Sequence, residues 1–185
     1  MLPDHQFGFI RYHSTIQQCH RVITIINGTL DAKEFCPAVF LDIKQAFNKV
    51  WYRGLLYKIK QNLPSEYYLI FKSCLSDRHF QIKHGEAYST INNINSGVPQ
   101  GSVFGPLMYL LYTTDIPITP TAHIGTFADD TVTMSIHYDP QTAAARVQEH
   151  LNLIQTWLQY WRIKASDTKS THVIYTLRRS DCPHV

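Results

Sequence analysis

The sequence predicts an α+β fold, a largely antiparallel sheet with helices packed on one face. Two observations carry that expectation. Short apolar or alternating runs, bounded by Pro, Gly, Asn or Ser, read as strands: "CPAVFLDI" at 36–43, "HFQIKHGEAYSTINNI" at 79–94, the stretch 124–135, and "THVIYTL" at 171–177. Longer segments with apolar residues at helical spacing lie between them. Strands joined through hairpins, with helices in between, fit a layer of helices on an antiparallel sheet.

The elements follow in chain order. Ser14-Thr15-Ile16-Gln17 has the S-x-x-Q form of a capping box and predicts a helix start. Ile16, Cys19, Ile23, Ile26 and Leu30 then recur as its apolar face. The 36–43 run, behind Pro37, reads as a buried strand. Helices are predicted over 50–61 and 65–75, broken by "NLP" at 62–64. A β-hairpin turns at His84-Gly85-Glu86. The loop "GVPQGSVFGP" precedes an apolar helix over about 107–114. Asp139 and Pro140 form an N-cap and first turn, and Val147, Leu151, Ile154, Leu158 and Trp161 make the stripe of the helix that follows. A last strand closes the domain at 171–177.

Composition bounds the function classes. The chain has 185 residues with 44% hydrophobic and 17% charged content, enough for one domain with a core and too apolar for general disorder. The net charge of +3 permits a nucleic-acid partner without arguing for one. The four cysteines, Cys19, Cys36, Cys74 and Cys182, form no C-x-x-C pair, which points to reduced thiols in an intracellular protein. No apolar run approaches the roughly 20 residues of a membrane span, and the N-terminus lacks the pattern of a signal peptide.

The chemistry is suggested by three features. Asp129 and Asp130 stand side by side between two strands, where like charges repel unless a cation lies between them. Magnesium suits such a site, because it prefers hard oxygen ligands and keeps waters and phosphates as its others; a plain turn explains the same pair. Asp42 ends the run "AVFLD". If its strand lies beside the 124–135 hairpin, three carboxylates converge, as in a two-metal phosphoryl-transfer site; taken alone, Asp42 reads as a cap. In "SGVPQGSVFGP", Gly97, Gly101 and Gly105 can expose backbone N–H groups and Gln100 can hydrogen-bond a nucleotide, though a structural turn accounts for the pattern equally well.

Together these residues resemble the palm motifs of reverse transcriptases, and specifically those of non-LTR (LINE-type, jockey-like) retrotransposons. "QFGF…HST", "AVFLDIKQAFNKVW", "SGVPQGSVFGPLMYLLYTTDIP", "FADDT" and "WRIKASDTKSTHVIYT" occur in the family's order, from Gln6 to about Arg179. The resemblance implies a palm-like antiparallel sheet with partial fingers and no thumb: a fingers remnant over about 1–35, palm with finger insertions over 36–180, and a tail at 181–185. It implies Asp42 and Asp129 as principal metal ligands, with Asp130 as the third acid, holding two Mg2+ ions or Mn2+. It implies Phe47 beneath the sugar of the incoming nucleotide, Gln100 and Gly101 at the nucleotide and template pair, and Lys169 as the acid that protonates the departing pyrophosphate. The partners implied are an RNA template, a DNA primer and dNTPs, with no membrane and nuclear residence. Missing fingers and thumb segments would come from a longer polypeptide.

The chain departs from the family at Asn48, where aspartate is usual, at Ile10, where arginine is usual, and at Ser166, where asparagine is typical. Two expectations result: an RNA-directed DNA polymerase module, or a degenerate, inactive domain that at most binds nucleic acid weakly. Without the family, Phe47 reads as core and Lys169 as surface charge, and Trp157 and Trp161 read as core in either case. A nucleotide cyclase would share a two-metal palm but has no place for "GVPQGS" or the flanking motifs.

Overall fold

The computed structural model describes residues 3–178, so Cys182 and the expected 181–185 tail lie outside the described residues. In chain order the elements are α1 (Thr15–Asp31), β1 (Cys36–Leu41), α2 (Tyr52–Asn62), α3 (Ser65–Leu75), β2 (His79–Phe80), β3 (Lys83–His84), β4 (Ala87–Tyr88), β5 (Asn92–Asn93), α4 (Phe104–Thr113), β6 (His123–Phe127), β7 (Asp130–Met134), α5 (Pro140–Tyr160) and β8 (Thr171–Tyr175). They fall into two compact units: residues 45–113 form one, and the segments before and after them form the other.

The second unit is built on a sheet of order β6-β7-β1-β8, in which every neighbouring pair is antiparallel. The first four residues of β1 are all buried, so both faces of the strand are covered. On one face Cys36, Ala38, Val132 and Met134 form a buried cluster against which Val22 and Ile25 of α1 pack. On the other, Thr133 meets α5 through a 2.6 Å hydrogen bond between its hydroxyl and Nδ1 of the fully buried His150. The α+β antiparallel class is the one the sequence predicts. The expected placement of helices on one face is corrected: α1 and α5 lie on opposite faces.

The caps stand where the sequence puts them. Ser14 Oγ accepts the Gln17 N–H while Gln17 Oε1 accepts the Ser14 N–H, closing the capping box of α1. Asp139 accepts the Thr142 N–H at 2.8 Å, with Pro140 in the first turn of α5. Along α5, Val147, Ile154, Trp157, Leu158 and Trp161 are buried. The α1 stripe is a second correction. Its buried residues are Gln18 and Thr29, whereas Ile16 is 79% and Ile23 52% exposed. Periodicity sends polar residues to solvent, but here both polar side chains find backbone carbonyls: Gln18 Nε2 reaches His5 O and Thr126 O, and the Thr29 hydroxyl donates to Ile25 O.

The 45–113 unit packs α2 against α3 and α4, with Leu55, Ile59, Phe71, Leu75, Met108 and Tyr112 buried. The buried Lys58 donates to the Tyr112 carbonyl in the last turn of α4. The hairpin turns at Gly85-Glu86, between the paired His84 and Ala87. Helix α4 begins at Phe104, earlier than the sequence suggests, because Pro106 sits in a first turn where its missing N–H costs nothing and Ser102 Oγ accepts the Gly105 N–H at 3.0 Å.

The register of α1 is testable by urea unfolding. Ile16→Ser should change stability by less than about 0.5 kcal/mol, whereas Ile154→Ala, from a side chain 2% exposed, should cost about 2–5 kcal/mol. A large loss at Ile16 would mean that the apolar stripe is the packed face after all.

Candidate active site

The antiparallel register of β1 on β7 runs from Ala38↔Met134 to Leu41↔Thr131. Asp42 is the next residue beyond that last pair, and Asp130 is the first residue of β7, so the two stand at the same end of the sheet. Both line a cavity of about 530 Å³, together with Lys169, Phe40, Phe127 and the Val22–Ile26 side of α1. Asp129 lies with Ala128 in the tight turn between the paired Phe127 and Asp130. Ala128 has φ +57°, in the left-handed region; holding a non-glycine residue there costs roughly 1–2 kcal/mol.

The electrostatics match this crowding. Asp130 as a whole is exposed, but its carboxyl is held above the usual aspartate range, first by loss of water where it lines the cavity, then by the charges of Asp129 and Asp42. Asp129 and Asp42 are therefore near enough to Asp130 to oppose its ionisation. Among the described residues no group of three or more His, Cys, Asp or Glu side chains is gathered tightly enough to hold a metal ion. The donors are hard oxygens, however, and magnesium needs only one or two carboxylates if waters and phosphates complete its shell.

A loop fixes Asp42 from the other side. The Ser166 N–H donates to Asp42 O at 2.7 Å, and the Lys44 N–H donates to Lys164 O at 2.8 Å. The Ser170 hydroxyl donates to Ser166 O at 2.6 Å and accepts the Asp42 N–H at 3.3 Å. Both main-chain groups of Asp42 are thus held by the segment that carries Lys169. The Lys44–Asp167 ion pair, 3.0 Å long, spans the same two segments, but its side chains are 49% and 85% exposed, so it adds little.

The remaining predicted residues belong to the 45–113 unit. Phe47 is half-buried and stacks on the buried Tyr109, with ring centroids 4.7 Å apart. Gln100 is exposed, and its Nε2 donates to Asn48 Oδ1 at 2.9 Å. Gly101 has φ +78°. The loop is seated on the residues after Phe47: Gly97 N–H donates to Val50 O, Val98 N–H to Phe47 O, and Ser96 Oγ to Asn48 O. Gly97 has φ +86°, and a Cβ there would lie 2.7 Å from Asn48 O, so no other residue fits. The structure therefore gathers Asp42, Asp129, Asp130 and Lys169 in one unit and Phe47, Gln100 and Gly101 in the other.

Sequence reasoning missed the supporting residues. Ser166 and Asn48 are visible in the sequence only as departures from a family pattern, and Ser170 carries no signal of its own; each turns out to hold a predicted site residue in place.

The raised Asp130 carboxyl has a pH signature. A group that binds its proton more tightly in the folded state lends stability that is complete below its unfolded value and lost as pH rises through its folded one. The metal-free chain should lose stability over that window, and Asp130→Asn should flatten the loss. Urea midpoints from about pH 4 to 7 would show this; equal slopes for both proteins would contradict the crowding.

Comparisons with known proteins identify the family and the fold. The family described as "Reverse transcriptase (RNA-dependent DNA polymerase)" matches residues 1–180. A probable RNA-directed DNA polymerase from the transposon X-element of Drosophila melanogaster is 42% identical over 188 residues, covering 99% of this chain and 21% of that protein. The RNA-directed DNA polymerase from the mobile element jockey of the same species is 38% identical over 192 residues, covering 100% of this chain and 21% of that one. The chain thus spans about a fifth of the length of these relatives. Apo telomerase from Candida tropicalis, truncated from its C-terminal domain, shares the fold with a TM-score of 0.67 at 14% identity, over 95% of this chain and 37% of that one. The chain belongs to the reverse transcriptase family, alongside the polymerases of jockey-like non-LTR transposons.

Proposed function

We propose that this chain is the polymerase module of a mobile element, adding dNTPs to the 3′-OH of a DNA primer on an RNA template. The observation that carries the proposal is the meeting of Asp42, Asp130 and Lys169 in one cavity, with Asp129 at the adjoining turn. In this reading the sheet unit is the palm.

Asp42 and Asp129 would hold divalent magnesium, or manganese, with Asp130 as the auxiliary acid. Bound there, two such ions supply charge neutralisation at the attacking and leaving oxygens of an in-line displacement. The rest falls to the chain. The Ser166–Ser170 clamp would fix the Asp42 backbone from which the carboxylate projects. Lys169, exposed at the cavity, holds a proton at Nζ for the departing pyrophosphate. Phe47, backed by Tyr109, would present a rigid edge to the sugar and exclude a 2′-hydroxyl. Gln100, steadied by Asn48, would meet the nucleotide and template pair. RNA, primer and nuclear residence belong to the same proposal.

Replacing the matching segment of the jockey polymerase with residues 3–178 of this chain tests it by primer extension on an RNA template. Extension should occur, and Asp42→Ala or Asp129→Ala should lower the rate by roughly a hundredfold or more. Phe47→Ala should raise ribonucleotide incorporation relative to deoxynucleotide. Extension that survived Asp129→Ala would place the active site elsewhere, and a silent chimera that folds would favour the degenerate-domain reading.

A further inference from the structure

The segment before α1 reaches the turn that carries the aspartate pair. His5 to Phe7 pair in parallel with β6: the Thr126 N–H donates to His5 O and the Phe7 N–H to Thr126 O, both at 2.9 Å. This sets the Gln6 side chain, 4% exposed, against the turn. Its Nε2 donates to Ala128 O at 3.2 Å, and its Oε1 accepts the Ala128 N–H at 3.0 Å and the Gly8 N–H at 2.6 Å. The network fixes the orientation of the amide, since a flipped side chain would face two N–H donors with its own NH2. Gly8 completes the fit: a Cβ there would lie 2.2 Å from Ala128 N.

We propose that Gln6 is a positioning residue for the acidic pair, holding Ala128 in the left-handed conformation and so fixing where Asp129 and Asp130 project. The proposal rests on the reading of those acids as metal ligands. Three observations carry it. Ala128 is an alanine at φ +57°, with no polar side chain to stabilise that conformation. Both of its backbone polar groups are engaged by a single carboxamide, which is buried although most of the α1 side chains nearby are not. The turn residue so held directly precedes Asp129. Gly8 acts with Gln6 by leaving room for the close approach. The "QFGF" stretch thereby gains a physical role: the glutamine grips the turn and the glycine admits it.

The test uses the 185-residue chain with Mn2+ as probe, read by electron paramagnetic resonance, alongside amide hydrogen exchange at Ala128. Gln6→Ala should weaken Mn2+ binding roughly tenfold, as loss of an outer partner does at other metal sites, and should speed exchange of the Ala128 N–H. Adding Ala128→Gly, which adopts the left-handed region unaided, should restore Mn2+ affinity without restoring protection of that amide. A role in stability alone would not be rescued in this way. Gly8→Ala should mimic Gln6→Ala, and thermal melting identifies any variant that fails to fold. Unchanged affinity and exchange in Gln6→Ala, or a loss of affinity that Ala128→Gly does not restore, would overturn the proposal. A wild-type chain that binds no Mn2+, yet shows the faster exchange in Gln6→Ala, would sink the metal reading of the acids while upholding the grip on the turn.

Discussion

The register of β1 between β7 and β8 is the constraint on which the site depends. Asp42 arrives beside the 128–130 turn because Leu41 pairs with Thr131 and Phe40 pairs with Thr171. A slip of one residue on either side would turn Asp42 to the opposite face and bury Phe40 where Val39 now lies. Burial on both faces forbids the slip. Ala38 at 0% and Val39 at 7% exposure already occupy their respective sides. Thr133 adds a polar key, because only in this register does its hydroxyl meet His150, whose other ring nitrogen contacts Pro117 O at 3.0 Å.

Converging carboxylates work against the fold that assembles them. Loss of water, and then the charges of Asp129 and Asp42, raise the Asp130 carboxyl, and the left-handed Ala128 adds backbone strain beside it. Hydrogen bonds to the backbone hold both segments in place despite these penalties. Ser166 and Ser170 hold one side, and Gln6 holds the other. Such support leaves the carboxylate oxygens available to a ligand, which a neutralising arginine would not. Strain held by over-determined surroundings is a usual property of functional turns.

Much of this was legible in the sequence. The capping box at Ser14, the Asp139-Pro140 start of α5 and the Gly85-Glu86 turn follow local rules, and each is made by partners within three residues in the chain. The acids were legible through their motif order. What escaped was decided by partners distant in sequence. Gln18 is buried because His5 O and Thr126 O await its amide, and a periodicity reading counts it as surface. The two-sided cover of the sheet escaped for a related reason, since an amphipathic pattern shows which stripe of a helix is apolar but not which face of the sheet it meets. Ser170 and Gln6 escaped as site residues because their function is exerted on backbone atoms 128 and 122 positions away.

The departures from the family pattern bear on whether the site has decayed, and the structure gives two of them work. Asn48 stands where aspartate is usual, and its Oδ1 accepts from Gln100; a carboxylate oxygen would make the same contact, so the substitution changes charge without losing the bond. Ser166 stands where asparagine is typical, and the bonds that matter to Asp42 come from its backbone N–H and C=O, which any residue other than proline provides. Its small side chain is 2% exposed and lies 3.4 Å from the Thr168 hydroxyl, so it fits the space it has. Both substitutions are thus accommodated within contacts that hold predicted site residues.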